Sequence, residues 1–465
     1  MAASVPPSPG EETPSFDLNL QHGHKDLVQA VAFNTYGDRC ATGSVDGKIR
    51  VFNRHKDGTW RLCDTWTAHG GEILEVTQLP LGTLPLSLAP LQWLPATVYP
   101  NLIASLGIEG RFRIWVEDPS AAPGRRFCTG RSGNGKPAFD TRSNKAPYRS
   151  FSMKHNEETR HTYLALLSTD GRLTVSENDQ PENLSEYTSI DEFTVAPKPS
   201  RGEELAFRVR FDPNPEPCYT ALRAGVPSDS LGLVVAAMDT VRIYRSRDIV
   251  ATSIGIQQTQ KEFYLAVELP GHRGLVRDVA WAPGNIRGYD IIATACQDGY
   301  ARVFRIETPY SEDDGLSWSA SDLLRSTPHA STRDSTPQAR TNGTATPTEK
   351  QAPTPQLQPM QHHHQQQHHQ QHHHTSGLSA SLAKSGSLGD RHWAGQPGQV
   401  KHMFQEISKL DNHRTPVWRV GFDDDGQILG STGDDGRLLC YRQTPNGAWA
   451  KSSELAVQKA RMAAP

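Results

Sequence analysis

The sequence predicts an all-β protein, a β-propeller of six four-stranded blades, and three observations predict it. One phrase returns along the chain, as "ATGSVDGKIRVF" (Ala41–Phe52), "ASLGIEGRFRIW" (Ala104–Trp115), "ATACQDGYARVF" (Ala293–Phe304) and "GSTGDDGRLLCY" (Gly430–Tyr441). Self-similarity of this kind means an array of like units. A shorter phrase precedes it, "LVQAVAF" at Leu27–Phe33, "LVRDVAW" at Leu275–Trp281 and "PVWRVGF" at Pro416–Phe422, with "AFRVRF" (Ala206–Phe211) a looser copy. These runs are short, β-branched and aromatic, and read as strands. Another strand-like segment follows most units: Trp60–Thr67, Ser185–Phe193, Glu262–Pro270, Lys401–Leu410 and Ala448–Val457. Only the second unit has no recognisable fourth strand.

Aligned on the acidic turn residue, the copies fall into register at Asp46, Glu109, Asp170, Asp239, Asp298 and Asp435. Glycine follows in five of them, as a tight hairpin turn with positive φ prefers; the fourth copy has Thr240 and is shorter. Six residues past the acid stands an aromatic in four copies: Phe52, Trp115, Phe304 and Tyr441. Four before it stands a hydroxyl in the same four: Thr42, Ser105, Thr294 and Ser431. A histidine precedes the first strand of these units, at His24, His69, His272 and His413. Carboxylate, imidazole and hydroxyl so placed form a hydrogen-bond relay with the aromatic packed beside it. The residue types are those of a Ser–His–Asp triad, but a catalytic site occurs once. Four copies pin four hairpins to four loops, and buried polar groups that satisfy one another fix register.

Charge is nearly balanced, with 48 basic and 51 acidic residues, so no overall electrostatic case for nucleic acid exists. The six cysteines contain no CxxC pair, which argues against a zinc site or a disulfide framework. Cys40, Cys296 and Cys440 sit inside hairpins as structural thiols. The opening "MAASVPPSPGEETPS" has neither the basic start nor the apolar run of a signal peptide, and no run of 18 apolar residues occurs. No cofactor, metal or small-molecule substrate is expected. Every His–acid pair that the spacing picks out belongs to the repeat, so the reading is non-enzymatic.

The expected boundaries are a disordered tail over 1–15, blades one to five over 16–308 with an irregular loop near 120–149, and a disordered insert over 309–399. The end of blade five and blade six follow over 400–458, then a tail over 459–465. The insert is Ser/Thr/Pro-rich and ends in "HHHQQQHHQQHHH" (His362–His374), a composition that cannot offset its ordering entropy. Its Thr-Pro pairs at Thr327, Thr336 and Thr346 suit proline-directed phosphorylation. The phrase "GRSGNGKP" (Gly130–Pro137) misses a phosphate-binding loop, because Pro137 replaces the metal-binding hydroxyl. Basic residues gather around it (Arg125, Arg126, Arg131, Lys136, Arg142, Lys145, Arg149) and read as a solvated loop, with a weak acidic-partner or nucleic-acid contact as the other reading. The Leu- and Pro-rich stretch Leu79–Pro100 is a packed loop or a partner contact.

The His, Ser/Thr, Asp and aromatic pattern resembles that of WD repeats, although no copy keeps a literal Trp-Asp. "HKDLVQAVAF", "GTWRLCDTWTAHGG" and "NHRTPVWRVGFDDDGQILGSTGDDG" resemble the Seh-type nucleoporins, small WD-repeat proteins of the Y-shaped nuclear-pore scaffold complex. The likeness covers about Phe16–Thr308 and Lys401–Val457. It implies an open six-bladed propeller, completed in trans by a β-blade that an α-solenoid nucleoporin inserts. It also implies contacts with other Y-complex nucleoporins, a place at the nuclear envelope, and a second place in a nutrient-signalling coat on the vacuole or lysosome. The related propeller of the endoplasmic reticulum vesicle coat, or another WD-repeat adaptor, is the alternative. Candidate contacts for the donated blade are Phe16, Leu18 and Leu20, which alternate as an extra strand would, with Val420 and Phe422 on the last blade.

Overall fold

A side-chain period of two carries every strand of the structure, a computed structural model describing residues 20–309 and 400–456 apart from 35, 80–101, 123, 128–135, 181–182, 254–255 and 285–287. The first sheet takes β1 (Val28–Phe33), β2 (Arg39–Ser44), β3 (Lys48–Arg54) and β4 (Trp60–Thr67). The second takes β5 (Ile73–Leu79), β6 (Leu102–Gly107), β7 (Arg111–Val116) and β8 (Phe139–Arg142). The third takes β9 (Tyr148–His155), β10 (Thr162–Ser168), β11 (Arg172–Asn178) and β12 (Thr188–Thr194). In the fourth are β13 (Phe207–Phe211), β14 (Gly232–Ala237), β15 (Thr240–Ser253) and β16 (Ile256–Leu269), with a short helix, α1 (Tyr219–Arg223), between its first two strands. The fifth comprises β17 (Val276–Trp281), β18 (Asp290–Cys296), β19 (Ala301–Glu307) and β20 (Met403–Leu410). The sixth comprises β21 (Val417–Phe422), β22 (Ile428–Gly433), β23 (Arg437–Gln443) and β24 (Trp449–Ala456). All six are antiparallel and follow chain order, so each blade is built from its own consecutive strands.

The core lies between blades. Ala41, Ile49, Val51 and Trp66 of the first pack against Ile73, Val76, Ile103 and Trp115 of the second. Fully burying one such side chain contributes roughly 1.5–3 kcal/mol, so each blade depends on its neighbours. The inner strands neighbour one another in sequence, β1 with β5, then β9, β13, β17 and β21. Five of them bend at a bulge, between Val28 and Ala30, Ile73 and Glu75, Tyr148 and Ser150, Val276 and Asp278, and Val417 and Arg419. One extra residue there increases the local twist.

Three sequence expectations need correction. The missing fourth strand of the second blade is β8, and it lies inside the stretch read as an irregular loop near 120–149, which also holds the start of β9. Only four residues long, β8 is anchored by Phe139, whose ring centroid is 4.7 Å from that of Tyr187 and 6.2 Å from that of Phe112. The same stretch buries Phe127 against Trp66, with ring centroids 4.7 Å apart. Arg126 is drawn inward too, 3.4 Å from the buried Glu117 that also takes Arg39, so it is no part of a solvated basic face. The fourth-blade hairpin, meanwhile, runs on to Ser253 and Ile256, beyond the strand expected from Glu262. Of "GRSGNGKP", only Lys136 and Pro137 are described, in neither helix nor strand. Most of Leu79–Pro100, the 1–15 and 459–465 tails and nearly all of 309–399 lie outside the described residues.

Residues 308–402 separate β19 from β20, yet the two pair from Ala301 with Leu410 to Glu307 with Met403. Loop-closure entropy rises only logarithmically with length. Deleting Glu312–Gly398 and joining the ends by a short Gly/Ser linker is therefore expected to leave the thermal midpoint unchanged. A fall of more than a few degrees would show that the segment supports the fold.

Candidate functional site: the relays and an open edge

The relays are built where the hairpin turn meets the loop before the inner strand. In the first blade Gly47 takes φ +74°, which lets Asp46 turn back. His24 Nδ1 lies 3.2 Å from Asp46 Oδ2, and its Nε2 2.8 Å from Thr42 Oγ1. In the second, His69 bridges Glu109 at 2.7 Å and Ser105 at 2.8 Å, and Trp115 Nε1–H donates to the same hydroxyl at 2.9 Å. Gly107 is obligatory there, because a Cβ would fall 2.5 Å from the imidazole Nδ1. In the sixth, His413 bridges Asp435 at 3.0 Å and Ser431 at 2.7 Å, with Tyr441 buried beside them.

The fifth relay is a correction. His272 still reaches Thr294 at 3.0 Å, but Asp298 turns instead to Arg302, at 2.6 and 3.1 Å. A buried guanidinium four residues on offers two charge-assisted bonds, and it outcompetes a neutral imidazole. Phe304 still packs near His272, ring centroids 6.0 Å apart, while Phe52 lies buried in the first blade. The third and fourth blades carry no histidine at this place, and Asp170 accepts from Ser168 instead.

Burial holds His24 below the ordinary histidine value, and it takes His272 to about 4, with Arg302 adding, and His402 to about 3, with Arg245 adding. Burial works against the charge on Asp46, but bonds from the Lys48 and Lys25 N–H groups and from His24 outweigh it and hold the carboxyl low. A histidine with a lowered folded-state pKa binds more protons when unfolded. Its stabilisation is complete above its unfolded value of 6.5 and is lost as pH falls towards 4. Asp46 adds a loss in the same direction as pH falls through the carboxylate range. Asp290 acts oppositely, since burial raises it to about 6 despite Arg245 beside it, with Asp212 adding. Three histidines outweigh one acid, so the thermal midpoint is expected to be lower at pH 4 than at pH 7. An equal or higher midpoint at pH 4 would contradict neutral buried rings.

Asp435→Ala leaves His413 Nδ1 without its acceptor, at a cost of about 1–3 kcal/mol. A midpoint unchanged by this substitution would remove Asp435 from the relay.

The second feature is an edge. A cavity of about 710 Å³ runs from the central channel into the space between β1 and β21, lined by Val31, Phe33, Glu75, Arg419, Val420 and Phe422 among others. On β1, Val31 is 54% and Phe33 56% exposed, whereas the residues at the same places in the fourth blade, Val209 and Phe211, are 0% and 5%. The sixth blade mirrors this: Leu438 and Cys440 are half-buried where Ile49 and Val51, Phe112 and Ile114, and Ala301 and Val303 are buried. Of the expected blade contacts, Val420 is buried and Phe422 half-buried; both line the cavity, but they pack into the core between blades five and six. Leu20 is described but lies in no strand, and Phe16 and Leu18 lie outside the described residues.

Sequence reasoning missed the charges that line the channel. Glu75 accepts from Arg210 at 2.9 Å and from the Phe151 N–H at 2.9 Å, and Arg208 stands 3.5 Å from it and 3.7 Å from Asp278. Their signal is a polar residue at one fixed offset in the inner strands, visible only once the bulge is counted. Among the described residues no group of His, Cys, Asp and Glu is placed to hold a metal ion, and no helix is long and apolar enough to cross a membrane.

Comparison with known proteins agrees with this architecture. The WD domain, G-beta repeat family matches residues 17–53, 264–305 and 404–442. The chain is 50% identical to Nucleoporin SEH1 of Chaetomium thermophilum, over 98% of this chain and 97% of that one. It is 26% identical to Nucleoporin SEH1 of Saccharomyces cerevisiae over 94% and 98% of the two chains, and 20% identical to that of Homo sapiens over 92% and 84%. With repeats, blades and length all accounted for, the chain belongs to the SEH1 nucleoporin family of non-enzymatic WD-repeat structural proteins of the nuclear pore.

Proposed function

We propose that the chain is a scaffold subunit of the pore's Y-shaped complex, and that its open propeller takes a seventh β-blade in trans from an α-solenoid nucleoporin. One observation carries the reading: Val31, whose counterparts Val76, Phe151, Val209, Val279 and Val420 are all buried by the preceding blade, stands 54% exposed beside a cavity between β21 and β1. Each blade has its own four strands, so no terminal strand is shared between first and last. Backbone pairing and apolar contact would hold a donated blade, as in other strand additions. Such an interface reaches the obligate class, upwards of about 2,000 Å². The relays serve the same end, holding rigid the four blades that carry them, among them the first and the sixth that flank the edge. The same edge also serves a vacuolar or lysosomal nutrient-signalling coat, if its solenoid subunit offers the same blade. The nucleoporin relatives favour the pore over the vesicle coat.

The test is co-expression of the full chain with the candidate solenoid nucleoporin, read by size-exclusion chromatography and hydrogen exchange. We expect a one-to-one complex, new protection in β1 and β21, and poor solubility of the chain alone. A ring closed by its own strands, or unchanged exchange at both strands, would overturn the reading.

A further inference from the structure

The inner strands obey a rule that repeats around the channel. One residue before the position opposite the relay hydroxyl, or its counterpart, stand Ala30, Glu75, Ser150, Arg208, Asp278 and Arg419, in blades one to six. Wherever this residue carries an acceptor, it reaches forward to the next blade. Glu75 accepts from the N–H of Phe151 at 2.9 Å, Ser150 from that of Val209 at 3.2 Å, and Asp278 from that of Val420 at 3.4 Å. In all three, the donor is the residue opposite the hydroxyl position of the following blade.

Val31 is that residue in the first blade, paired with Thr42 as Val420 is with Ser431. Its N–H is turned away from β2 by the alternation of an antiparallel ladder. Asn34, three residues on, closes the strand by donating to Arg39, as Asp212 and Asp423 do to Gly232 and Ile428. An acceptor for Val31 therefore comes from whatever precedes the first blade.

Charge says what kind of acceptor. Asp278 serves two neighbours: it caps Val420 ahead and stands 3.7 Å from Arg208 of the blade behind. Arg419 occupies the place of Arg208 in the last blade, lines the cavity, and makes no ion pair among the described residues. A guanidinium enclosed by an incoming blade is costly unless it is paired. A serine would cap Val31 but leave Arg419 uncompensated.

We propose that the strand entering between β21 and β1 carries an aspartate or glutamate at this position, its carboxylate pairing with Arg419 and accepting from the Val31 N–H. The proposal rests on the blade-insertion reading above, and it names the partner's chemistry: an extended strand, apolar where it meets Val31 and Leu438, with one inward acid.

The test uses the full chain co-expressed with the α-solenoid nucleoporin. Arg419→Glu and Arg419→Gln should each weaken the complex by at least about thirtyfold, as truncating one partner of an enclosed charge pair does. Thermal midpoints of the free chains separate this from misfolding; if Arg419→Glu fails to fold, Arg419→Gln alone carries the measurement. Acids in the donor's inserted strands are then changed singly to Lys, and one such change should restore binding to Arg419→Glu by tenfold or more. Binding of the folded Arg419 variants within threefold of the wild type, or no restoring change in the donor, overturns the proposal and leaves blade insertion standing. No complex with the wild-type chain overturns both.

Discussion

Glu75→Ala is expected to destabilise the isolated chain by about 3–5 kcal/mol, the usual cost of removing one member of a buried charge pair. Glu75 sits on β5, 7% exposed, and reaches Arg210 and Arg208 of the fourth blade and the Phe151 N–H of the third. Burial opposes its charge, yet the two arginines and the N–H bond hold its carboxyl below the ordinary value. Without it, Asp278 is the one carboxylate left beside Arg208 and Arg210 among the described residues, at 3.7 and 3.8 Å, while Arg210 keeps the Phe151 and Val209 carbonyls. The measurement is the urea midpoint of the purified chain, with Ser150→Ala, which loses one neutral bond to Val209, as the milder comparison at about 1 kcal/mol. Equal losses for the two would mean that the channel charges do not hold the blades together.

The second large effect is a contrast between two identical changes. Val209→Glu places an unpaired carboxylate at a position 0% exposed, and a loss above about 4 kcal/mol is expected. Val31→Glu puts the same side chain at the equivalent position of the first blade, 54% exposed, and should change stability by less than about 0.5 kcal/mol. Only Val31→Glu should fold normally and yet fail to assemble with a blade donor. If it unfolds like Val209→Glu, β1 is an internal strand and the edge is not open.

The fold was legible because its units repeat. Six acids, five turn glycines and four aromatics set the register of the hairpins by their spacing alone. What stayed hidden had no repeat to expose it. In β8 only Phe139 and Thr141 are half-buried, between exposed Asp140 and Arg142, a pattern too short to stand out. Asp298 had the spacing of a relay acid, but Arg302 lies within its reach, and spacing says nothing about competition between partners. The inner-strand charges were visible as letters, yet their meaning depends on which blade faces which across the channel.

The pairing of β19 with β20 has a consequence in time as well as in space. During synthesis β19 is complete at Glu307, but its partner begins only at Met403. At about 5–20 residues per second the ribosome needs roughly 5–20 s to cross that interval. For those seconds four blades and most of a fifth exist, with β19 as an outer edge able to pair with another chain. The sixth blade, which covers the far face of the fifth, comes later still. The length of that interval, which leaves the finished propeller unmarked, sets how long each nascent copy stays exposed to mispairing.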